Sequence, residues 1–413
     1  MFSRSNTLLA LFATCLSAVI ISSCDKEKSQ SWDTHESFSL SQTHREMMRG
    51  EVLFSRRLMK MLNDDAGQGS WSCSPLGVFL SLGMINNIAD EDASAQILEV
   101  MGLEGYSKEE VNDLCTTVQH ELEYLRRPLF SSGRFLSIDN SIPRDITTST
   151  PAMNGYNVTV SDEYNGAHSI MSSLNNWIEN RISDIVPSPL SGKELDLAQG
   201  INLFDASFVR QIWLSRFDPD LSYTSMFRKQ DGARLEMDVM KRKYIQPLFG
   251  GGVLTLRLRS YLGQMLIYQP GLLGYNIESS PSDFLGLLEA RDEAGYLEAK
   301  TMEYYGNYLS MPIMKEDPRV VDMKDVLYRM GITKIFEDGI LIGGKQTKLS
   351  GFFQIFHFFA DETGVYDNPP EAQYLDPFFY DVSSVDINSS FLYQGTSSDM
   401  NAVLYGGVFD GND

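Results

Sequence analysis

Ser74-Pro-Leu-Gly-Val-Phe-Leu-Ser-Leu-Gly-Met-Ile85 is the stretch from which the fold of this 413-residue chain can be read outward. Ser74 is a good N-cap, and Pro75 suits the first helical turn, where its missing N–H has no partner to lose. From Leu76 onward the stretch is apolar nearly all round, and a helix apolar on every side belongs inside a core. Ahead of it, Met48, Val52, Met59 and Leu62 fall on one helical face, with Arg56, Arg57 and Lys60 elsewhere. Behind it, a third helix is expected from about Ala93 to Met101, stopped by Gly102. From about Ile201 strands dominate, mixed with short helices such as residues 323–330. Helices first and strands later is the order of an α+β fold. No linker or internal repeat divides residues 46–413, so they are expected to form one large domain.

The N-terminus has a different character. Arg4 precedes an apolar run at residues 8–21 that has the length of a signal-peptide core and is too short to span a membrane comfortably. The run ends Ile21-Ser-Ser-Cys24, which resembles a bacterial lipobox, in which the signal (here 1–23) is removed and the cysteine acylated. An ordinary signal peptide with an incidental cysteine is the alternative. Residues 24–45 are polar and without period, as a flexible tether would be. The resemblance therefore implies a lipoprotein of the bacterial cell envelope, at its outer surface, held to the membrane by lipid on Cys24 alone.

Composition narrows the function classes. A formal charge of −21 argues against nucleic acid and against anionic lipid as partners. With Cys15 in the signal and Cys24 lipidated, Cys73 and Cys115 remain, which is no disulfide framework, and two buried free thiols are expected. The histidines His35, His44, His120, His168 and His357 show no metal-ligand spacing, so no metal and no cofactor are expected. There is no Gly-x-Ser-x-Gly elbow and, within residues 46–413, no Ser-x-x-Lys pair, and Gly250–Gly252 lacks the lysine of a phosphate-binding loop. No catalytic residues are assigned, and the chain is read as a non-enzyme.

Residues 365–389 stand out against that background. They hang between two apolar, aromatic runs, 352–359 and 391–408, that read as buried strands. A connection this long is uncommon and usually either functional or disordered. Tyr374-Leu-Asp-Pro-Phe-Phe-Tyr380 puts aromatics where a solvating linker would carry Ser, Lys or Glu. Such residues either attract a partner or pack on the protein's own surface.

The order of several segments is similar to that of the serpin family. Ser74–Ile85 followed by Ser94-Ala-Gln-Ile-Leu-Glu-Val-Met-Gly-Leu103 resembles its N-terminal helical signature, and Leu174-Asn-Asn-Trp-Ile-Glu179 its helix ahead of the central sheet. Phe208-Val-Arg-Gln-Ile-Trp213, Phe217-Asp-Pro and Thr224-Ser-Met-Phe227 resemble the third strand of the large sheet and its sequel. Pro312, the run from Asp322 to Phe336, Asp361-Glu-Thr-Gly364, Ser390-Phe-Leu-Tyr393 and Ala402-Val-Leu-Tyr-Gly-Gly-Val408 match later elements in order and spacing.

The resemblance implies a serpin fold, with a helical N-terminal half, three β-sheets and 365–389 as an exposed reactive-centre loop. It implies inhibition of extracellular serine-type (or related cysteine) endopeptidases by a monomer that is cut in this loop. The loop's N-terminal part then inserts into the large sheet. Counting from Gly364 and back from Phe391 places the scissile bond among Phe378, Phe379 and Tyr380. Aromatics there suit the deep apolar pocket of chymotrypsin-like proteases.

The hinge, comprising Glu362, Gly364, Val365, Asp367, Pro369 and Pro370, departs from the family, whose inhibitors carry small residues after the glycine. Pro369 and Pro370 lack the N–H that a central strand needs. One face of an inserted strand would carry Val365, Asp367, Pro369 and Glu371, the other Tyr366, Asn368, Pro370 and Ala372. Either register buries groups that need partners. The polar latch under the family's sheet, a Ser, an Asn and a His, aligns with Gly77, Asp205 and Gln354, with His357 displaced by three residues. Both departures imply a sheet that resists opening, and the alternative function is a non-inhibitory binding or scaffold lipoprotein.

Overall fold

The computed structural model describes residues 38–412, apart from 68, 126–128, 141, 143–145, 147–149, 162–166, 183–199, 244–246, 251–252, 273–283, 286–299, 302–307, 317–318, 366–383 and 399–400. In chain order the first half holds α1 (Gln42–Ala66), β1 (Trp71–Cys73), α2 (Pro75–Asn86), α3 (Glu91–Met101), α4 (Lys108–Glu123), β2 (Phe130–Ile138), β3 (Val158–Val160) and α5 (Ala167–Ile182). There follow β4 (Ile201–Val209), β5 (Gln211–Ile212), β6 (Asp218–Arg228), β7 (Arg234–Lys243), β8 (Pro247–Gly250), β9 (Val253–Ser260), β10 (Gly263–Tyr268), β11 (Lys300–Thr301), β12 (Tyr308–Pro312), β13 (Met314–Lys315) and β14 (Arg319–Asp322). The last part comprises α6 (Lys324–Met330), β15 (Ile340–Ile342), β16 (Lys345–Thr347), β17 (Leu349–Phe356), β18 (Phe359–Ala360), β19 (Gly364–Val365), β20 (Ser384–Asp386), β21 (Phe391–Ser397) and β22 (Val403–Phe409).

The helices begin where the capping chemistry places them. Ser74 Oγ accepts from Gly77 N at 3.3 Å at the start of α2, Asp90 Oδ1 accepts from Ala93 N at 2.8 Å at the start of α3, and Ser107 and Glu110 form a capping box on α4. Gly102 stops α3 in the left-handed conformation at φ 67°. Every residue of α2 is buried; it packs on α1, α3, α4, β4 and β22 and is the centre of the core.

Two large sheets enclose that centre. One runs β1-β22-β21-β10-β9-β8-β11, the other β14-β17-β4-β2-β3. A third sheet, β20-β12-β7-β6, and a short one, β13-β18-β19-β5, complete the body with the hairpin β15-β16. Helices and several sheets share one body, and the α+β order is as expected. Cys73 and Cys115 are free and buried. Among the described residues no helix is long and apolar enough to cross a membrane.

Three expectations need adjustment. The folded body reaches further forward than residue 46: α1 opens at Gln42 behind the N-cap Ser41, and Phe38 and Leu40 are buried. Arg56, off the apolar face of α1, is nonetheless buried at 4 % exposed, because α1 is covered on more than one side. The first half is also less purely helical than its periodicity predicts, since β2 is a nine-residue strand in the middle of a sheet. Ser131, Ser132, Gly133 and Arg134 broke its apolar pattern.

Candidate functional site: the hinge and the cluster beneath it

The chain leaves β17 at Phe356, forms β18, turns through residues 361–363 and returns as β19. Asp361 makes the turn: its Oδ1 accepts from Thr363 N at 2.8 Å, Thr363 Oγ1 at 2.6 Å and Gly364 N at 3.3 Å, an Asx turn. Glu362 is held as well. Its carbonyl accepts from Phe217 N at 3.0 Å, and its Oε1 accepts from Ser222 Oγ at 2.8 Å. Trp213 donates from its backbone N to Thr363 O at 3.1 Å and from Nε1 to Asp361 O at 2.9 Å.

β19 is a wedge two residues long. It pairs antiparallel with β18 through Ala360 and Val365, and with β5 through Gly364–Ile212 and Val365–Gln211. Below the wedge β17 and β4 pair with each other directly and in parallel, up to Ile355–Ala206. The sheet is thus closed along β4 and parted only at its end, where Gly364 and Val365 fill the gap. An added Cβ at Gly364 would stand 2.0 Å from Gln211 O, so only glycine permits this close approach. Val365 is 1 % exposed.

The wedge also has a defined face. Gln211 Oε1 accepts from Tyr405 Oη at 2.8 Å, so Gln211 points into the core. Directly paired residues of an antiparallel ladder share a face, which turns Val365 inward. By alternation along β4, Val209, Ser207 and Asp205 point the same way.

Asp205 lies at the centre of a buried polar cluster. Its Oδ1 accepts from Ser81 Oγ at 3.2 Å, and its Oδ2 from Ser207 Oγ at 3.0 Å and Gln354 Nε2 at 2.9 Å. Arg134 Nε lies 3.5 Å from Oδ1, both side chains being fully buried. Arg134 donates further to Ser81 Oγ at 3.0 Å, Gln119 Oε1 at 2.6 Å and Tyr156 O at 3.0 Å. Burial pushes the Asp205 carboxyl up, opposed by Arg134 and the three neutral donors; burial pulls Arg134 down, opposed first by Asp205. Gln354 ties the cluster to the start of α2, accepting from Ser74 N at 2.9 Å and donating to Ser74 O at 2.8 Å. Asp205 and Gln354 sit on neighbouring strands at paired positions, so their bond clamps the seam between β4 and β17.

Gly77, Asp205 and Gln354 are therefore brought together as expected. Arg134, Ser81 and Ser207 were missed. The one available signal was a lone arginine in a buried strand, and its partner is 71 positions away. Of the expected hinge residues, Glu362 lies in the turn after β18 and Gly364 and Val365 form β19, whereas Asp367, Pro369, Pro370, Phe378, Phe379, Tyr380 and Cys24 lie outside the described residues. Burial pushes the Cys115 thiol up to about 12 and Cys73 higher still, so neither is a nucleophile. Among the described residues no group of His, Cys, Asp and Glu could hold a metal.

The profile of the family described as Serpin (serine protease inhibitor) matches residues 50–410. Human neuroserpin is 22 % identical over 303 residues, covering 67 % of this chain and 68 % of that protein. Alpha-1-antitrypsin of Meriones unguiculatus is 21 % identical over 311 residues, covering 71 % and 72 %. Among solved structures, native protease nexin-1 with heparin superposes with a TM-score of 0.72 at 16 % identity, over 89 % of this chain and 100 % of that one. Thyroxine-binding globulin with thyroxine gives 0.71 at 16 %, over 89 % and 99 %. A family match over residues 50–410, nearly the whole body, shows that this chain belongs to the serpin family.

Proposed function

We propose that this serpin presents residues 365–389 as a bait loop to extracellular serine-type proteases, and that its hinge limits how far the loop can enter the sheet. The register of β19 carries this reading. A strand continued from Gly364–Ile212 and Val365–Gln211 would set position 367 against Val209, 369 against Ser207 and 371 against Asp205, all facing the core. Asp367 and Glu371 would then point inward. Glu371 would meet a carboxylate already supplied with its donors, and a second buried charge there is costly. Pro369 and Pro370 would withhold two ladder N–H groups. The family's usual activity is inhibition, and here these residues favour cleavage as a substrate over trapping.

The aromatic run supports a chymotrypsin-like target cutting after Phe378 or Phe379. The same hinge supports a second reading, a non-inhibitory binding protein, and the fold alone serves both protease nexin-1 and thyroxine-binding globulin. Incubation with chymotrypsin and with papain separates these readings on a denaturing gel. Cleavage at Phe378–Tyr380 with little covalent complex is expected; an abundant SDS-stable complex would overturn the limit set on insertion, and an uncut loop would favour the binding protein.

The N-terminal sequence supports a chain held by lipid at the outer face of the bacterial envelope. Radiolabelled fatty acid should mark the wild type and not Cys24→Ala; label that survives the substitution would refute the anchor.

A further inference from the structure

In a chain of net charge −21, β6 and β7 place two arginines directly opposite each other, since Arg228 and Arg234 are Cα partners in the antiparallel ladder. Like charges at such positions repel. Both side chains are exposed, and no hydrogen bond or ion pair to described residues relieves either of them. Their backbones are firmly held: Arg228 N donates to Asn388 O at 2.9 Å, Ser390 N to Arg228 O at 3.0 Å, and Lys229 N to Ala233 O at 2.9 Å across the turn. The two arginines are therefore carried on paired backbone, with no counter-ion among the described residues.

They stand at a recess of ≈ 330 Å³ lined by Met226, Phe227, Arg228, Arg234 and Asn388. Met226 is 51 % exposed, an apolar side chain beside two cations, and the Asn388 carboxamide adds a polar group without a partner among the described residues. The next cross-strand pairs on the same face are Met226–Glu236 and Thr224–Asp238. The positive field is thus one pair wide and backed by acids, which suits one anionic group and repels a polyanion. Paired guanidinium forks match the oxygens of a carboxylate, sulfate or phosphate. The volume lies at the small end of ligand pockets.

We propose that Arg228 and Arg234, with Met226 and Asn388, form a binding site for a small organic acid, one oxyanion carried on an apolar body. The site lies on the β6–β7 face and does not depend on the bait-loop reading. Titration calorimetry on the full chain with octanoate, benzoate and inorganic sulfate tests it. Octanoate should bind saturably with a Kd of about 1 mM or tighter, and Arg228→Gln and Arg234→Gln should each weaken it by about tenfold or more. Met226→Ser should weaken octanoate and leave sulfate unchanged. Without ligand, neither arginine variant should melt below the wild type, because each relieves a repulsion; a purely structural pair would lose stability instead. Absence of saturable binding by all three probes, or affinity unmoved by both arginine substitutions, would overturn the proposal.

Discussion

An added Cβ at Gly77 would stand 2.1 Å from Ser207 Oγ and 2.5 Å from Asp205 Oδ2, so the glycine and the acid depend on each other. Where the family pattern has a serine, this chain leaves space, and the Asp205 carboxylate occupies it. Gly77→Ser should therefore overpack the cluster and cost about 1–3 kcal/mol. Asp205→Asn should cost more, about 3–5 kcal/mol, because it leaves the buried Arg134 without its counter-charge. Urea unfolding of the two variants checks the order; an Asp205→Asn protein as stable as wild type would mean that Arg134 does not need the acid. Gly77, Asp205 and Gln354 could be named from the sequence because family spacing marks them. Arg134 could not, since pairing of β2 with β4, and not proximity in the chain, carries it to Asp205.

Between elements, α1 is fastened to β22 by one buried carboxyl. Both oxygens of Glu51 accept from Val403 N at 3.2 Å, and Oε1 accepts from Ser55 Oγ at 2.8 Å. Burial pushes the Glu51 carboxyl from 4.5 up to about 7, against the opposing effects of Ser55, Val403 and Arg56. Between these pH values the folded protein holds a proton that the unfolded chain has released, so stability falls as pH rises from 4.5 to about 7 and levels off above. At about 1.4 kcal/mol per pH unit the loss over that window is about 3 kcal/mol. Glu51→Gln should flatten that part of the stability profile, measured by urea unfolding at pH 5 and pH 8. An unchanged difference between the two pH values would place the proton elsewhere. The α1 periodicity gave no hint of this, because Glu51 looks like any polar residue on an amphipathic helix until β22 covers it.

At the scale of the whole molecule, the prediction concerns the sheet and the loop together. Insertion in inhibitory members adds a fully paired strand, but here two proline nitrogens and two inward acids would offset much of that gain, at about 1–3 kcal/mol for each unsatisfied group. Cleavage near Phe379 is therefore expected to move the melting temperature little, and alanines in place of residues 367–371 should restore a large rise. A jump of tens of degrees in the cleaved wild type would sink this expectation, since a few degrees correspond to about 1 kcal/mol. By itself the sequence determined the caps, the all-apolar α2, the strand-rich second half and the unusual hinge composition. Those features rest on local chemistry and on spacing along the chain. Only the tertiary structure decided that Val365 turns inward, because that parity is set by its pairing with Gln211 across 154 positions of chain. It likewise decided that Asp205 has an arginine beside it and that Arg228 faces Arg234, since register between strands is a property of the packed sheet and not of either strand alone.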